Sequence, residues 1–174
     1  MKKTYFLFGL MVCLGLSWGS ALQAERLDCL SQVFLLGKGL QDMDRDGFAD
    51  TTALVFILPD EPNAHESALA GDLAARLNLE SLAVDFASVR GESLPDPAKR
   101  DRIQVLIGSR LGYIDRLKRE GQLPGKMLAE HQGLVHIFDL DGQSGLALIA
   151  GSQETLLKTG RAFFLRWPYL WDIW

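Results

Sequence analysis

The chain has 174 residues with 18 Lys and Arg against 22 Asp and Glu, a formal charge of −4, and 48% of its residues are apolar. That length suits one domain with a proper hydrophobic core. The absence of any clustered positive charge argues against nucleic acid as a partner, because phosphate binding draws on such clusters.

The N-terminus is organised for export. Lys2 and Lys3 precede an uncharged run from Thr4 to Trp18 rich in Phe, Leu, Met, Val and Gly, followed by the small residues Gly19, Ser20 and Ala21. This is the order of a secretory signal peptide, and the apolar run is shorter than the roughly 20 residues that span a bilayer. Cleavage after Ala21 or Ala24 is compatible with the pattern, and residues 1–24 are taken as the leader, so no membrane span is expected afterwards. Val12 ahead of Cys13 does not suit lipidation of that cysteine. The processed chain loses two lysines and carries a formal charge of −6. Cys29 is then the lone cysteine in an oxidising compartment. It fits an intermolecular bridge, a partner further along a longer chain, or a small buried hydrophobe.

After the leader, residues 25–52 form an N-terminal segment and 53–167 a single α/β domain. Cys29 to Leu36 reads as an apolar segment compatible with a strand, closed by Gly37 and Gly39. An acidic turn from Asp42 to Asp50 leads into the continuous apolar run Ala53–Leu58, which predicts a strand buried on both faces. Ala64, Ala68, Leu69, Leu73, Ala74 and Leu77 recur mainly at three and four and predict an amphipathic helix starting near Pro62. Ser81–Ala87 predicts a second strand, and Arg90–Arg102, with Pro95 and Pro97, a polar loop. Ile103–Gly108 predicts a third strand, with Ser109 capping a helix from about Leu111 to Arg119. Asp141-Gly142 between two apolar runs is a strong hairpin signal. A last helix follows from about Glu154 to Leu165. The order predicts a mixed sheet of about five strands carrying three helices, in the α/β class with α+β as the alternative.

The acidic turn is the one motif with specific chemistry. Asp42, Asp44, Asp46, Gly47 and Asp50 spell D-x-D-x-D-G-x-x-D. Alternate carboxylates of a tight loop supply the oxygens that Ca²⁺ needs, Gly47 permits the sharp turn, the Phe48 carbonyl adds a ligand, and Asp50 binds directly or through water. Ala53 stands where the twelfth-position Glu of an EF-hand would sit, so an outside ligand is required. The loop resembles the abbreviated calcium loops of dockerin modules and thrombospondin type-3 repeats over about nine residues. The alternative is a solvated acidic turn, since Asp and Gly form turns in their own right.

No catalytic constellation stands out. His65, His131 and His136 show no ligand spacing, there is no G-x-S-x-G, and Cys29 has no nucleophile motif around it. Asp139 and Asp141 have the chemistry of a glycosidase pair but occupy turn positions. The segments LIGSRLGYIDRL and LIAGSQETLLKT echo each other as strand, Gly-Ser, helix. Turn chemistry accounts for the echo, and an anion at the helix N-termini is the functional alternative. Trp167, Tyr169, Trp171 and Trp174 crowd residues 168–174 and their approach, as an interface or a platform for stacking on sugars.

The stretch from ALVFILPD through RIQVLIGS to GLVHIFDLDGQSGLALIAGSQETLLKTGRAFFL resembles the small non-catalytic α/β domain preceding the catalytic barrel in large secreted glycoside hydrolases such as hexosaminidases. The resemblance spans about 110 residues, excludes the calcium-like loop and carries over no catalytic residue. It implies an exported accessory or assembly module whose gene continues past Trp174, with a glycan or another protein domain as partner. A free-standing calcium-dependent binding protein and a secreted hydrolase are the competing readings.

Overall fold

The computed structural model describes residues 26–80, 89–93 and 102–165. The leader, the strand expected at 81–87, most of the polar loop before Arg102 and the aromatic residues from Trp167 onward lie outside that range.

Two elements precede the main sheet. A 3-10 helix, Leu30–Phe34, stands where an extended segment was suggested. It turns Val33 and Phe34 into the core and leaves Leu35 and Leu36 at 50% and 43% exposure, an inside-outside split a run of apolar letters does not reveal. Cys29, ahead of it, is exposed with Sγ 2.7 Å from the Ser31 hydroxyl, which corrects the buried-hydrophobe alternative. Strands β1 (Leu40–Gln41) and β2 (Thr51–Thr52) then form a two-stranded antiparallel ribbon whose loop is the acidic segment.

The main sheet contains β3 (Leu54–Leu58), β4 (Val89–Gly91), β5 (Ile103–Ile107), β6 (Gly133–Leu140) and β7 (Gln143–Ala150) in the order β4-β3-β5-β7-β6. The pairs β3–β4, β3–β5 and β5–β7 are parallel, and β6 closes one edge antiparallel to β7. This is the mixed five-stranded sheet expected, with three helices and a C-terminal hairpin. Arg90 and Gly91 belong to β4 rather than to a polar loop, because their register with Ile57 and Leu58 extends the sheet.

All five residues of β3 and of β5 are buried. The reason is that α1 (Ala64–Glu80) and α3 (Gln153–Leu165) cover one face and α2 (Gly112–Arg119) the other. Leu54, Phe56, Leu69, Leu73, Leu77, Val105, Leu148 and Leu156 form the first core. Val55, Ile57, Leu106, Ile114, Leu117, Phe138 and Ile149 form the second. Each such side chain contributes about 1.5–3 kcal/mol on burial. Leu27, Val33, Phe34, Leu40 and Ala49 join the first core, so the N-terminal segment packs with the sheet. Phe34 meets Phe163 of α3 with ring centroids 6.0 Å apart.

Asp141 (φ 55°) and Gly142 (φ 76°) make the two-residue turn of the β6–β7 hairpin, both left-handed as a type I′ turn requires. Arg116 of α2 grips the Asp141 carboxylate with two nitrogens, at 2.9 and 2.8 Å. Hydrogen bonding to Asp141, reinforced by Glu120, holds that guanidinium even more firmly protonated than usual.

Candidate metal centre

The acidic loop hangs between two fixed points. At its base the Asp50 amide donates to the Gln41 carbonyl at 2.8 Å, and Ala49 is buried in the first core. Beyond β2, the Ala53 amide donates to Gly39 and the Ile103 amide to Ala53, so the ribbon feeds directly into β3 and β5. Between these anchors the chain must reverse within a few residues. Arg45 (φ 66°) and Gly47 (φ 94°) both adopt the left-handed conformation to do so.

Carboxylate oxygens replace secondary structure inside the loop. Asp42 Oδ1 accepts the amides of Arg45 and Asp46 at 2.6 and 3.2 Å, and its Oδ2 accepts that of Gly47 at 2.9 Å. Asp50 Oδ2 accepts the amides of Met43 and Asp44 at 2.6 and 3.3 Å. Asp44 Oδ1 accepts the Asp46 amide at 3.1 Å, and Asp46 Oδ1 accepts that of Phe48 at 2.8 Å.

These bonds bring three carboxylates together: oxygens of Asp42, Asp44 and Asp50 all lie within 4.8 Å of one another. The group can bind a metal ion. Asp46 is not among the three, and the Phe48 ring is 63% exposed. Ala53 is buried and offers no side-chain ligand, as its methyl group dictates.

Electrostatics divides the members of the cluster. Partial withdrawal from water would raise the Asp42 carboxyl, but the amides of Gly47, Arg45 and Asp46 together outweigh it and hold it below its ordinary value. For Asp44 the Asp46 amide pulls downward. Withdrawal from water and the charges of Asp46, Asp50 and Asp42 overcome that pull and hold the carboxyl above its ordinary value. Asp44 therefore carries the mutual repulsion of the cluster, the condition a bound cation relieves.

The carboxyl end of the parallel sheet is a second candidate region. Strand order reverses between β3 and β5, since the chain passes from β3 to β4 on one side and then to β5 on the other, and open α/β sheets bind ligands at such a point. Here the chain's own side chains occupy it. Asn63 Oδ1 caps α1 by accepting the His65 and Glu66 amides at 2.9 and 3.0 Å, while Glu66 Oε2 accepts the Asn63 amide at 2.9 Å. Glu66, only 2% exposed, pairs with Arg110 at 2.7 Å. Glu92 Oε1 accepts the Tyr113 amide of α2 at 2.8 Å. Asp60 Oδ1 accepts the Ser93 amide and hydroxyl at 3.0 and 2.8 Å, and these two bonds hold that carboxyl below its ordinary value.

Ser109 does not cap α2. The cap residue is Leu111, whose side chain makes no such bond, and the Ser109 hydroxyl instead bonds the Ala150 carbonyl at 2.9 Å and the Ala150 amide at 3.3 Å. The two Gly-Ser turns are thus laced together. At α3, Ser152 Oγ accepts the Thr155 amide at 3.2 Å. An anion at the start of α2 would have to displace Glu92.

The sequence spacing carries the Asn63-x-x-Glu66 capping pair, so this bond was legible as a capping box. Glu92, 21 residues ahead of the amide it accepts, has no local signal. A cleft of about 170 Å³ remains beside Asn63, Glu66, Ser109, Arg110, Ser152 and Gln153. A second, of about 290 Å³, is lined by Lys118, Lys126, Met127 and Leu128 among others. Neither has a His or Cys among its described lining residues. His65 and His136 are half-buried and His131 exposed. Asp139 pairs with Arg26 at 3.2 Å and Asp141 with Arg116.

No protein-family model matches the chain, and a search of curated proteins finds no match. Among the described residues no helix is long and apolar enough to cross a membrane.

Proposed function

We propose that the protein is an exported, non-catalytic accessory or assembly module whose Asp42–Asp50 loop binds Ca²⁺. The observation that carries the reading is the convergence of the Asp42, Asp44 and Asp50 carboxylates within 4.8 Å of one another. Oxygen-only donors on a tight loop favour a hard cation, and Ca²⁺ tolerates the irregular geometry of such a loop better than Mg²⁺ does. The Asp46 carboxylate and the Phe48 carbonyl complete the set from within the loop, and water or an outside oxygen supplies the rest.

The ion is a staple. It ties the β1–β2 ribbon at the entry to β3, and the repulsion concentrated on Asp44 is the energy it relieves. A non-catalytic role is supported by the sheet's carboxyl end, where Asp60, Glu66 and Glu92 are each spent on capping or closing the chain's own backbone. The resemblance to the domain that precedes the barrel of secreted glycoside hydrolases adds a glycan-processing context, with Trp167, Tyr169, Trp171 and Trp174 as the partner-facing aromatics.

Calorimetric titration tests the site. The full chain is expressed with its leader, and the recovered product is titrated with CaCl₂ and separately with MgCl₂. Saturable calcium binding with a stoichiometry of about one, abolished by Asp44→Ala, is the expected result. No heat beyond dilution at millimolar calcium would reduce the loop to an acidic turn.

A further inference from the structure

The two edges of the main sheet differ. Among the described residues β4 is an edge of three residues, whereas β6 is an edge of eight. Exposed edges of that length template pairing with other chains, and proteins block them with charge, proline, bulges or cover. Gly133 to Ile137 contains no Lys, Arg, Asp, Glu or Pro.

Which β6 groups face outward follows from the hairpin. A two-residue turn makes Leu140 and Gln143 a hydrogen-bonded pair, and pairing alternates from there, so Phe138, His136 and Leu134 bond β7 while Asp139, Ile137, Val135 and Gly133 turn their amides and carbonyls outward. Gln122 corroborates the assignment. Its side chain accepts the Asp139 amide at 2.9 Å and donates to the Asp139 carbonyl, acting as a one-residue strand. The plug covers Asp139 alone. The outward amides and carbonyls of Gly133, Val135 and Ile137 have no hydrogen-bond partner among the described residues. Half-buried Leu134, Val135 and Ile137 leave apolar surface at the same edge.

We propose that this edge pairs with β6 of a second copy of the chain, antiparallel about a two-fold axis at Val135, to make one continuous sheet. The free row is symmetric about Val135. In this register Val135 faces Val135 and Gly133 faces Ile137 as hydrogen-bonded pairs, which uses each free group and leaves the Gln122–Asp139 plug intact in both copies. His136 falls opposite Leu134, so no like charges meet at neutral pH. A two-fold interface needs one self-complementary patch, and an uncharged row centred on one residue is such a patch. The pairing does not depend on the calcium loop.

Sedimentation and amide hydrogen exchange of the full-length product, under reducing conditions so that exposed Cys29 cannot bridge two chains, test the proposal. The expected result is a doubling of mass as concentration rises. It is accompanied by at least about ten-fold slower exchange at Val135 and Ile137, while Leu134 and His136, already bonded to β7, change little. Val135→Pro removes the central outward amide without touching the β6–β7 ladder, and should return the protein to a monomer. The wild-type exchange data stand even where that variant does not fold. A monomer with fast exchange at Val135 and Ile137 at every concentration would overturn the proposal, as would a dimer in which they stay unprotected. A monomer with both amides protected, and exposed by deletion of residues 166–174, would also overturn it in favour of cover by the chain's own C-terminus.

Discussion

Two groups of carboxylates sit on opposite sides of a physical divide. At the carboxyl end of the sheet, Glu66 has Arg110 and the Asn63 amide, Glu92 has the Tyr113 amide, and Asp60 has Ser93. In the β1–β2 loop, Asp42, Asp44 and Asp50 also accept amides, but they face one another across less than 4.8 Å. Hydrogen bonds satisfy lone pairs in both places, but the first place adds a counter-charge, Arg110 on Glu66, and does not crowd its carboxylates into one cluster. The contrast singles out the loop as the place where a cation would meet carboxylates whose polar groups are bonded but whose charge is unbalanced.

The comparison breaks most visibly at Gly108, whose φ of 104° excludes ordinary side chains and whose added Cβ would strike the Glu66 carboxylate. Gly108→Ala should lower stability by about 3 kcal/mol in urea unfolding. An effect near zero would mean that the Glu66–Arg110 wall gives way freely. Glu66→Ala follows, at about 1–3 kcal/mol. It leaves the Asn63 amide without its acceptor and Arg110 with the Glu61 carbonyl in place of a carboxylate, and the solvent exposure of Arg110 keeps the loss below that of a fully buried pair. Removing a loop carboxylate should act in the opposite sense without metal. Asp44→Asn should leave the calcium-free protein unharmed or slightly more stable while weakening calcium binding at least about ten-fold, read by melting and titration of the same samples.

Acid titration sharpens the contrast further. Asp60 should titrate below, and Asp44 above, the ordinary carboxylate value of 3.8 in calcium-free protein followed by carboxyl NMR. The signs of the stability effects then differ. The lowered carboxyls, Asp60 and Asp42, contribute stability above the unfolded value that is lost as pH falls through their folded values. The raised Asp44 is destabilising once ionised, and that penalty disappears as pH falls through its folded value. Calcium affinity should fall over the same acid range, since each proton taken up by the cluster competes with the ion.

Much of the sheet was legible because its strands are written as uninterrupted apolar runs: Leu54–Leu58 and Ile103–Ile107 are buried throughout, and Asp141-Gly142 forms the expected turn. The errors fell where local letters are ambiguous. Cys29–Leu36 is apolar in composition, but Phe34 is held by Phe163 at the far end of the chain, and a 3-10 turn is the way to aim Val33 and Phe34 inward together. β1 and β2 have two residues each, too few to show a period. Ser109 has the chemistry of a cap, yet its hydroxyl is claimed by Ala150, 41 residues away. In the loop, the D-x-D-x-D spacing located the cluster. It did not show that the Asp46 carboxylate bonds the Phe48 amide while Asp50 joins Asp42 and Asp44.

The measurement that tests the central claim most directly is a pair of thermal melts of the recovered full-length product, one in excess EDTA and one in millimolar Ca²⁺, with Asp44→Ala alongside. Binding to the folded loop must raise the melting temperature by an amount that grows as the logarithm of ligand excess over the dissociation constant. The account predicts a rise of several degrees in wild type and none in the variant. Superimposable wild-type melts would contradict it, leaving Asp42, Asp44 and Asp50 as a surface turn that tolerates its own repulsion.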